Sequence, residues 1–282
     1  MTLPPLSASP EGWGQATAVM GVINLTPDSF SDGGLFNTPE RALQQADRQL
    51  AAGASVLDLG AQSTRPGAED VGAEEEIRRL IPALQCIRAA HPHAVISVDT
   101  FLASVAEAAL SSGADWINDV SGGRRDPCML PLIAEAGCPY VLMHSRGDSR
   151  TMDGLTDYGP DVVQDVLDAL EQASERADKA GVQRDQLIWD PGLGFAKTTA
   201  QNLNLLQQLE RLVSSGVPIL LGPSRKRFIG AVLDEPRAKA RLWGTAAVCA
   251  RAVAAGVAVL RVHDVAPIHQ VVQMSSVLWP VR

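Results

Sequence analysis

The 282-residue sequence has only four cysteines, and no two of them form a CxxC pair. They are far apart in the chain, at Cys86, Cys128, Cys138 and Cys249. This spacing argues against a zinc site or a disulfide framework and is compatible with a reducing compartment. The sequence also lacks an HExxH motif and a serine with a histidine at motif spacing. We therefore expect neither a transition-metal hydrolase nor a nucleophilic triad.

Positive charge and long apolar runs are also scarce. The 24 basic residues are outnumbered by 32 acidic ones, and the net charge of −8 argues against a nucleic-acid partner. The most apolar segment, 244–262, is interrupted by Arg251 and Gly256, so it predicts a buried helix and strand, not a membrane span. The first 15 residues lack the basic start and apolar stretch of a signal peptide. We expect a cytoplasmic protein with no membrane partner.

What the sequence does contain is a junction that recurs six times, in which a small residue and a glycine precede strand-like residues. The glycines are Gly53, Gly113, Gly137, Gly181, Gly216 and Gly256. Glycine is the usual residue where a helix ends in a left-handed turn. Because no linker or change of composition separates these junctions, they indicate strand–helix alternation throughout.

Eight strand-like segments fit this alternation. Their centres lie near Met20, Leu57, Ile96, Trp116, Val141, Ile188, Leu220 and Val259. Eight strands in a chain slightly longer than the roughly 250 residues typical of the fold predict an α/β protein with a (β/α)8 TIM barrel. The rival is a doubly wound open sheet, but no Gly-x-Gly-x-x-Gly follows an early strand. We expect a single domain over residues 1–282, with 1–16 as a flexible N-terminal extension.

Polar residues follow nearly every predicted strand. They are Asn24, Asp58, Asp99, Asn118, Asp119, His144, Asp190, Ser224, Arg225, Lys226, Arg261, His263 and Asp264. The carboxyl ends of barrel strands converge on one mouth, where barrel enzymes have their active sites. We therefore predict an active site there, and treat Asp58, Asp119 and Asp264 as structural residues. For His144, a structural role and a role behind the site remain equal alternatives.

The charges at this mouth indicate the substrate class. Its cations suit a phosphorylated or carboxylated small molecule, and they are Arg65, Arg225, Lys226, Arg261 and His263. Asp99 and Asp190 could accept hydrogen bonds from an NH-rich ring or hold a metal. Asn24 offers a neutral oxygen that would suit a hydrated Mg²⁺ bridging phosphates.

Eight stretches match motifs of one family. They are GVINLTPDSFSDGG at 21–34, DLGAQSTRPG at 58–67, ISVDT at 96–100, INDVSGG at 117–123, LMH at 142–144, DPGLGF at 190–195, SRKRFIG at 224–230 and RVHDV at 261–265. In these motifs, which follow the family's order, the chain resembles dihydropteroate synthase. The resemblance implies a TIM-barrel transferase of folate biosynthesis. Such an enzyme condenses 6-hydroxymethyl-7,8-dihydropterin pyrophosphate with 4-aminobenzoate, uses Mg²⁺, is a sulfonamide target and is usually a homodimer.

The resemblance also implies roles for individual residues. Asn24 would be the metal ligand and would bind pyrophosphate together with Arg261 and His263. The pterin-binding residues would be Asp99, Asn118, Met143, Asp190, Phe195 and Lys226. The 4-aminobenzoate-binding residues would be Thr64, Arg65, Pro66, Phe195 and Ser224. Asp99, Lys226 and Arg65 would be catalytic.

The chemistry agrees with these roles. A carboxylate such as Asp190 can accept two parallel N–H bonds from the amino-pyrimidinone edge of a pterin. Loss of pyrophosphate from a methylene on an electron-rich ring suits a loose transition state, so stabilising the departing charge is the main task. An arylamine is unprotonated at neutral pH, so the reaction requires no strong general base.

Three departures from the family pattern stand out. Ala61 and Gln62 replace a Gly-Glu pair, Ser145 and Arg146 replace Met-Gln, and Ala196 replaces a glycine. We expect Arg146 to face solvent. The segment 26–36 is predicted to be a mobile lid that closes with the 63–67 loop.

Two rival functions remain. A pterin-binding methyltransferase that transfers a methyl group from a folate to a corrinoid could share the pterin pocket. It would not need the 63–67 loop or the Ser224–Lys226 run, and both are present. A silent paralogue would bind pterin without turnover, but the chain retains Arg65, Lys226 and Asp99.

Overall fold

The computed structural model describes residues 3–26, 38–62 and 71–280, and within them eight strands alternate with helices. The strands are β1 (Ala18–Asn24), β2 (Val56–Gly60), β3 (Val95–Asp99), β4 (Trp116–Asp119), β5 (Tyr140–Met143), β6 (Leu187–Asp190), β7 (Leu220–Leu221) and β8 (Val259–Val262). They pair in parallel in the order β6-β5-β4-β3-β2-β1-β8-β7. A parallel bridge from Trp189 to Ile219 joins the β6 and β7 ends. The (β/α)8 barrel is therefore confirmed, and the open doubly wound sheet is wrong.

The helices occupy the outside of the barrel. In the described ranges they are α1 (Pro39–Ala51), α2 (Ala73–Ala90), α3 (Ala103–Ser111), α4 (Met129–Ala136), α5 (Val162–Lys179), α6 (Thr199–Gln207), α7 (Leu209–Val213), α8 (Arg227–Leu233), α9 (Leu242–Ala255) and α10 (Val265–Leu278). The glycine at each of the six predicted junctions has a positive φ, between 63° and 100°. A residue with a Cβ resists that conformation, which explains why the helices end there.

The core has two apolar layers. All five residues of β2 are buried, as expected for a strand covered on both faces. The larger layer packs strand side chains against the helices. The smaller one fills the barrel interior at the amino ends of the strands with side chains such as Met20, Trp116 and Ile188. Among the helices described, none combines the length and apolar character needed to cross a bilayer.

Residues 3–16 lie against the amino end of the barrel. Leu6 is buried, and the Trp13 ring meets the Trp116 ring edge to face with 6.0 Å between centroids. The Trp116 Nε1–H group donates to the Ala8 carbonyl at 2.7 Å. This segment therefore covers the end of the barrel opposite the predicted site. Its flexibility stays a prediction.

Candidate active site

The carboxyl ends of β1 to β4 place the predicted polar residues side by side. Asn24 is in register with Gly60, Gly60 with Asp99, and Asp99 with Asn118. Gly60 has no side chain, and a Cβ built there would be 3.6 Å from the Asp99 Cβ. The missing side chain therefore leaves space between Asn24 and Asp99 at the barrel mouth.

Arg261 of β8 connects two carboxylates across this mouth. Its Nε donates to Asp58 Oδ2 at 2.6 Å, and its Nη2 donates to Asp99 Oδ2 at 2.7 Å. Fully buried Asp58 also accepts from Ser97 Oγ at 2.6 Å and Asn118 Nδ2 at 3.4 Å. These contacts agree with a structural role for Asp58, which orients two predicted site residues.

Asp99 is buried and only partly satisfied. Burial raises its pKa to about 7, Arg261 acts in the opposite direction, and the nearby carboxylates of Asp58 and Asp119 raise it further. Asp99 Oδ1 is enclosed and accepts no hydrogen bond from the described residues. A buried acceptor without a partner is costly, so this oxygen marks a position for a donor or cation.

The loop after β6 is tightly wound around Asp190. Burial raises the pKa of Asp190, whose Oδ1 accepts the Gly192 N–H at 2.7 Å. Gly192 and Gly194 have φ values of 68° and 77°. A Cβ at Gly192 would lie 1.9 Å from the His144 carbonyl oxygen, and a Cβ at Gly194 would lie 3.1 Å from Lys226 Cδ. Glycine at both positions thus lets the loop approach its neighbours.

Lys226 and Phe195 are in contact beside this loop. The Lys226 ammonium lies 4.2 Å from the centroid of the Phe195 ring, a cation–π geometry. Burial lowers the pKa of Lys226 to about 8, although the Asp190 carboxylate opposes the shift. Met143 is buried at the end of β5. The structure therefore brings Asp99, Asn118, Asp190 and Lys226 to one mouth.

The chain after β7 supplies a second polar group. Ser224 Oγ accepts the His263 backbone N–H at 3.1 Å and lies 2.9 Å from His263 Nδ1. Arg225 was predicted to be a cation available to the substrate, and that prediction needs correction. Its guanidinium forms a two-point ion pair with Asp264, at 2.5 and 2.9 Å. Asp264 has the structural role expected of it.

Lys197 is a buried charged residue that the sequence analysis missed. Its ammonium is 2.9 Å from His144 Nδ1. Burial and the Lys197 charge keep the pKa of His144 well below its ordinary range. His144 therefore contacts Lys197 behind the Asp190 loop, and both alternatives for its role stay open. The sequence signal was a lysine seven residues after Asp190, within the same loop.

Arg146 does not simply face solvent, so that expectation is wrong. It is half-buried, with its guanidinium 3.7 Å from the centroid of the Tyr158 ring, and it donates to the Asp157 carbonyl. A cavity of about 640 Å³ next to Phe195 is lined by Arg146 together with Arg124, Arg125 and Arg150. This rim carries positive charge in an acidic protein.

Three predicted residues, Thr64, Arg65 and Pro66, lie outside the described residues. Most of the predicted 26–36 lid, including Gly33 and Gly34, does so as well. Within the ranges that are described, no group of three histidine, cysteine, aspartate or glutamate side chains could hold a metal ion.

Comparisons with known proteins agree with this geometry. Residues 20–263 match the family described as pterin binding enzymes. A dihydropteroate synthase of Synechocystis sp. is 48% identical over 267 residues, covering 95% of this chain and 92% of that protein. The structure of Xanthomonas albilineans dihydropteroate synthase with 4-aminobenzoic acid has a TM-score of 0.90 and 40% identity, with full coverage of both chains. The same enzyme in complex with 7,8-dihydropteroate has a TM-score of 0.84 and 38% identity over 95% of each chain.

Proposed function

This chain belongs to the pterin-binding enzyme family, and from that premise we propose that it is a dihydropteroate synthase. It condenses 6-hydroxymethyl-7,8-dihydropterin pyrophosphate with 4-aminobenzoate and releases 7,8-dihydropteroate and pyrophosphate in folate biosynthesis. One observation carries this proposal. Asp99, Asn118, Asp190 and Lys226 meet at one barrel mouth, in a chain similar to dihydropteroate synthases over nearly its full length.

The pterin would bind against Asp190, Asn118, Asp99 and Lys226. Asp190 is buried, and in the described part of the chain its Oδ1 accepts the Gly192 N–H. Lone pairs on both oxygens can then accept the parallel N–H groups of the ring. Met143 and Phe195 would form the walls of the ring slot. The Lys226 contact with Phe195 supports this arrangement because it places the ammonium beside the proposed ring position.

The pyrophosphate would bind to Asn24, Arg261 and His263. Asp58 and Asp99 hold the Arg261 guanidinium through its Nε and Nη2 atoms. This orientation is fixed before substrate arrives, so little reorganisation is needed as negative charge develops on the leaving group.

The donors at the mouth fit a Mg²⁺ ion. Mg²⁺ keeps several waters and is usually held by one or two protein oxygens together with substrate phosphates. Asn24 supplies a neutral oxygen, Asp99 Oδ1 lacks a partner among the described residues, and Gly60 leaves room between them. Asn24 would be the metal ligand, and the bound ion would neutralise charge on the pyrophosphate.

The reaction breaks the bond between the methylene carbon and the pyrophosphate oxygen, and the electron pair leaves with pyrophosphate. The arylamine nitrogen forms the new bond to this carbon and then gives up a proton to solvent water. Asp99, Lys226 and Arg65 would be the catalytic residues. The 4-aminobenzoate would bind to Thr64, Arg65, Pro66, Phe195 and Ser224 with its amine facing the methylene.

The protein would act as a cytoplasmic, single-domain homodimer. Val232 and Leu233 of α8 and Trp243 of α9 are exposed apolar side chains, and Trp243 is 77% exposed. Because exposed apolar patches of this kind mark interaction surfaces, a second copy of the chain is the proposed occupant. The four free cysteines are compatible with the reducing cytoplasm.

The deciding experiment incubates the protein with the pterin pyrophosphate and labelled 4-aminobenzoate, with and without Mg²⁺. We expect labelled dihydropteroate when Mg²⁺ is present and little without it. Absence of product in both cases would refute the proposal, and retained pterin binding would then identify a silent paralogue.

Lys226→Ala should abolish pterin binding and turnover, whereas Lys239→Ala, at an exposed lysine, should change neither.

A further inference from the structure

Among the described residues, the buried Lys197 ammonium group forms its hydrogen bonds with neutral acceptors. Its Nζ donates to the Gly192 carbonyl at 3.0 Å and to the Phe195 carbonyl at 3.1 Å, and it lies 2.9 Å from His144 Nδ1. An ammonium group has three N–H donors, so each of them has one acceptor. Burying a charge is costly, which makes a charged residue at this position a feature that needs an explanation.

The two carbonyl groups belong to the loop that carries Asp190 and Phe195. Within this loop Gly192, Gly194 and Ala196 all have φ between 48° and 77°, so the backbone turns through left-handed conformations in rapid succession. The two glycines adopt such a conformation freely, but Ala196 carries a Cβ and keeps it only where surrounding contacts hold the loop. The Lys197 ammonium supplies these contacts from inside the loop.

Contacts with β5 and with Lys226 connect this loop to the proposed pterin site. The His144 backbone N–H donates to the Asp190 carbonyl at 2.8 Å, which joins the ends of β5 and β6. On the other side, the Phe195 ring meets the Lys226 ammonium at 4.2 Å. A shift of the loop would therefore move both Asp190 and Phe195 relative to Lys226.

We propose that Lys197 is a positioning residue for the pterin site. Its ammonium binds the carbonyl groups of Gly192 and Phe195 and so fixes Asp190 and Phe195 in the geometry that holds the pterin ring. Lys197 itself contacts no substrate. This inference rests on the proposed function, because it assigns the pterin to the Asp190 loop.

The charges around Lys197 make its protonation sensitive to pH. Burial lowers its pKa to about 7, with Asp190 opposing the shift and the positive charges of Arg146 and Lys226 adding to it. The Tyr158 ring lies 5.9 Å away, and His144 stays neutral because its own pKa is well below the ordinary range. A deprotonated Lys197 keeps only two donors for three acceptors, so loop order should decrease as pH rises through this range.

The test compares Lys197→Met, which removes the donors, with Lys197→Arg, which keeps donors and charge. Lys179→Met, at an exposed lysine at the end of α5, is the matched control. Pterin pyrophosphate affinity is measured by calorimetry, together with kcat, KM and the melting temperature. Because misplacement of binding groups by about 1 Å can cost about 100-fold in rate, we expect kcat/KM of Lys197→Met to fall about 100-fold.

The pattern across the variants distinguishes positioning from general destabilisation. We expect Lys197→Met to bind pterin at least about tenfold more weakly at temperatures where it is fully folded, and Lys197→Arg to recover part of that loss. The Lys179→Met control should match the wild type. Wild-type affinity and turnover in Lys197→Met would overturn the proposal. If the wild type forms no dihydropteroate, the proposed function fails, while the affinity ratio of the two proteins still tests Lys197.

A measurement on the wild type covers the case in which Lys197→Met does not fold. The chain has only four lysines, Lys179, Lys197, Lys226 and Lys239, so ¹³Cε-lysine labelling gives four NMR signals to assign. We expect the Lys197 signal to titrate near pH 7 and to shift when pterin pyrophosphate binds. A Lys197 signal that titrates at the ordinary lysine pKa and ignores the pterin would contradict the inference.

Discussion

At the scale of single residues, Asp99 couples the active site to stability. Burial raises its pKa from 3.8 to about 7 in the folded protein. In the unfolded chain the carboxyl ionises near its ordinary pKa, so across the interval between these values the folded state binds more protons. Stability from this group is therefore present at low pH and is lost as pH rises from about 4 to about 7.

The substitution Asp99→Asn tests this coupling. Asn does not ionise, so the variant does not lose this stability as pH rises. The difference between the melting temperature of Asp99→Asn and that of the wild type should therefore be more positive at pH 8 than at pH 5. Turnover should fall in the same protein. Thermal unfolding at both pH values measures the difference. Asp148→Asn is the control, because the exposed Asp148 carboxyl has a lowered pKa and its effect should be the same at both pH values. An Asp99→Asn difference that does not change with pH would contradict the expectation.

Ala196 is a second residue whose local geometry leads to a prediction. It has a φ of 48°, a conformation that costs a residue with a Cβ about 1 kcal/mol. Ala196→Gly should therefore stabilise the protein by about 1 kcal/mol in urea unfolding. The matched control is Ala108→Gly inside α3, which should destabilise by about 1 kcal/mol. Equal destabilisation by both changes would show that the Ala196 backbone is unstrained.

At the scale of helices and strands, local signals predicted most of the fold. The six junction glycines mark where helices end, because glycine has no Cβ and readily adopts the left-handed backbone found there. Thr38 is a local signal of the same kind: its side chain caps α1 by accepting the Arg41 N–H. Each of these features depends on neighbours within a few positions, so the sequence alone reveals them.

Contacts between distant segments were harder to predict. Arg225 was taken for a substrate-facing cation, but its partner Asp264 is 39 positions away. Lys197 was overlooked because its role depends on His144, 53 positions earlier. Side-chain pairing of this kind depends on how strand ends converge, which a strand pattern does not specify. Asn24, Asp99 and Asp190 could be placed at the mouth because each ends its strand, whereas the pterin and pyrophosphate roles are implied by the resemblance and stay predictions.

The start of α5 provides a test at this scale. Asp161 caps the helix by accepting the Val163 and Gln164 N–H groups, and it also forms an ion pair with Arg211 of α7 at 2.8 Å. Asp161→Ala removes both interactions and should cost about 1–2 kcal/mol in chemical unfolding. Asp161→Asn keeps an N-cap and loses only the exposed ion pair, so it should cost less than about 1 kcal/mol. Equal losses would mean that the cap contributes nothing.

At the scale of the whole molecule, the two ends of the barrel have separate tasks. The amino ends are filled by apolar side chains and covered by residues 3–16, while the carboxyl ends carry the buried charges. Buried charges are destabilising, so the apolar end compensates for the end that would do chemistry.

The proposed homodimer leads to a prediction for the assembled protein. Trp243→Glu would place a charge in the patch formed with Val232 and Leu233, and we expect a monomer. Ala89→Glu, at an exposed position on α2 outside this patch, should stay dimeric. Light scattering after size-exclusion chromatography measures both masses. A wild-type protein that is monomeric at every concentration would contradict the dimer.

Few backbone contacts join β6 to β7. β7 is two residues long, and in the described residues the strands meet through the Trp189–Ile219 bridge, with the Trp189 N–H bonded to the Pro218 carbonyl. Asp190 ends β6 and Lys226 follows β7, so a bound pterin would contact residues on both sides of this junction. We expect amide hydrogen exchange at Trp189, Leu220 and Leu221 to slow more on pterin binding than exchange in β3 and β4. The bound pterin would then stabilise the junction between β6 and β7 as well as fill the barrel mouth.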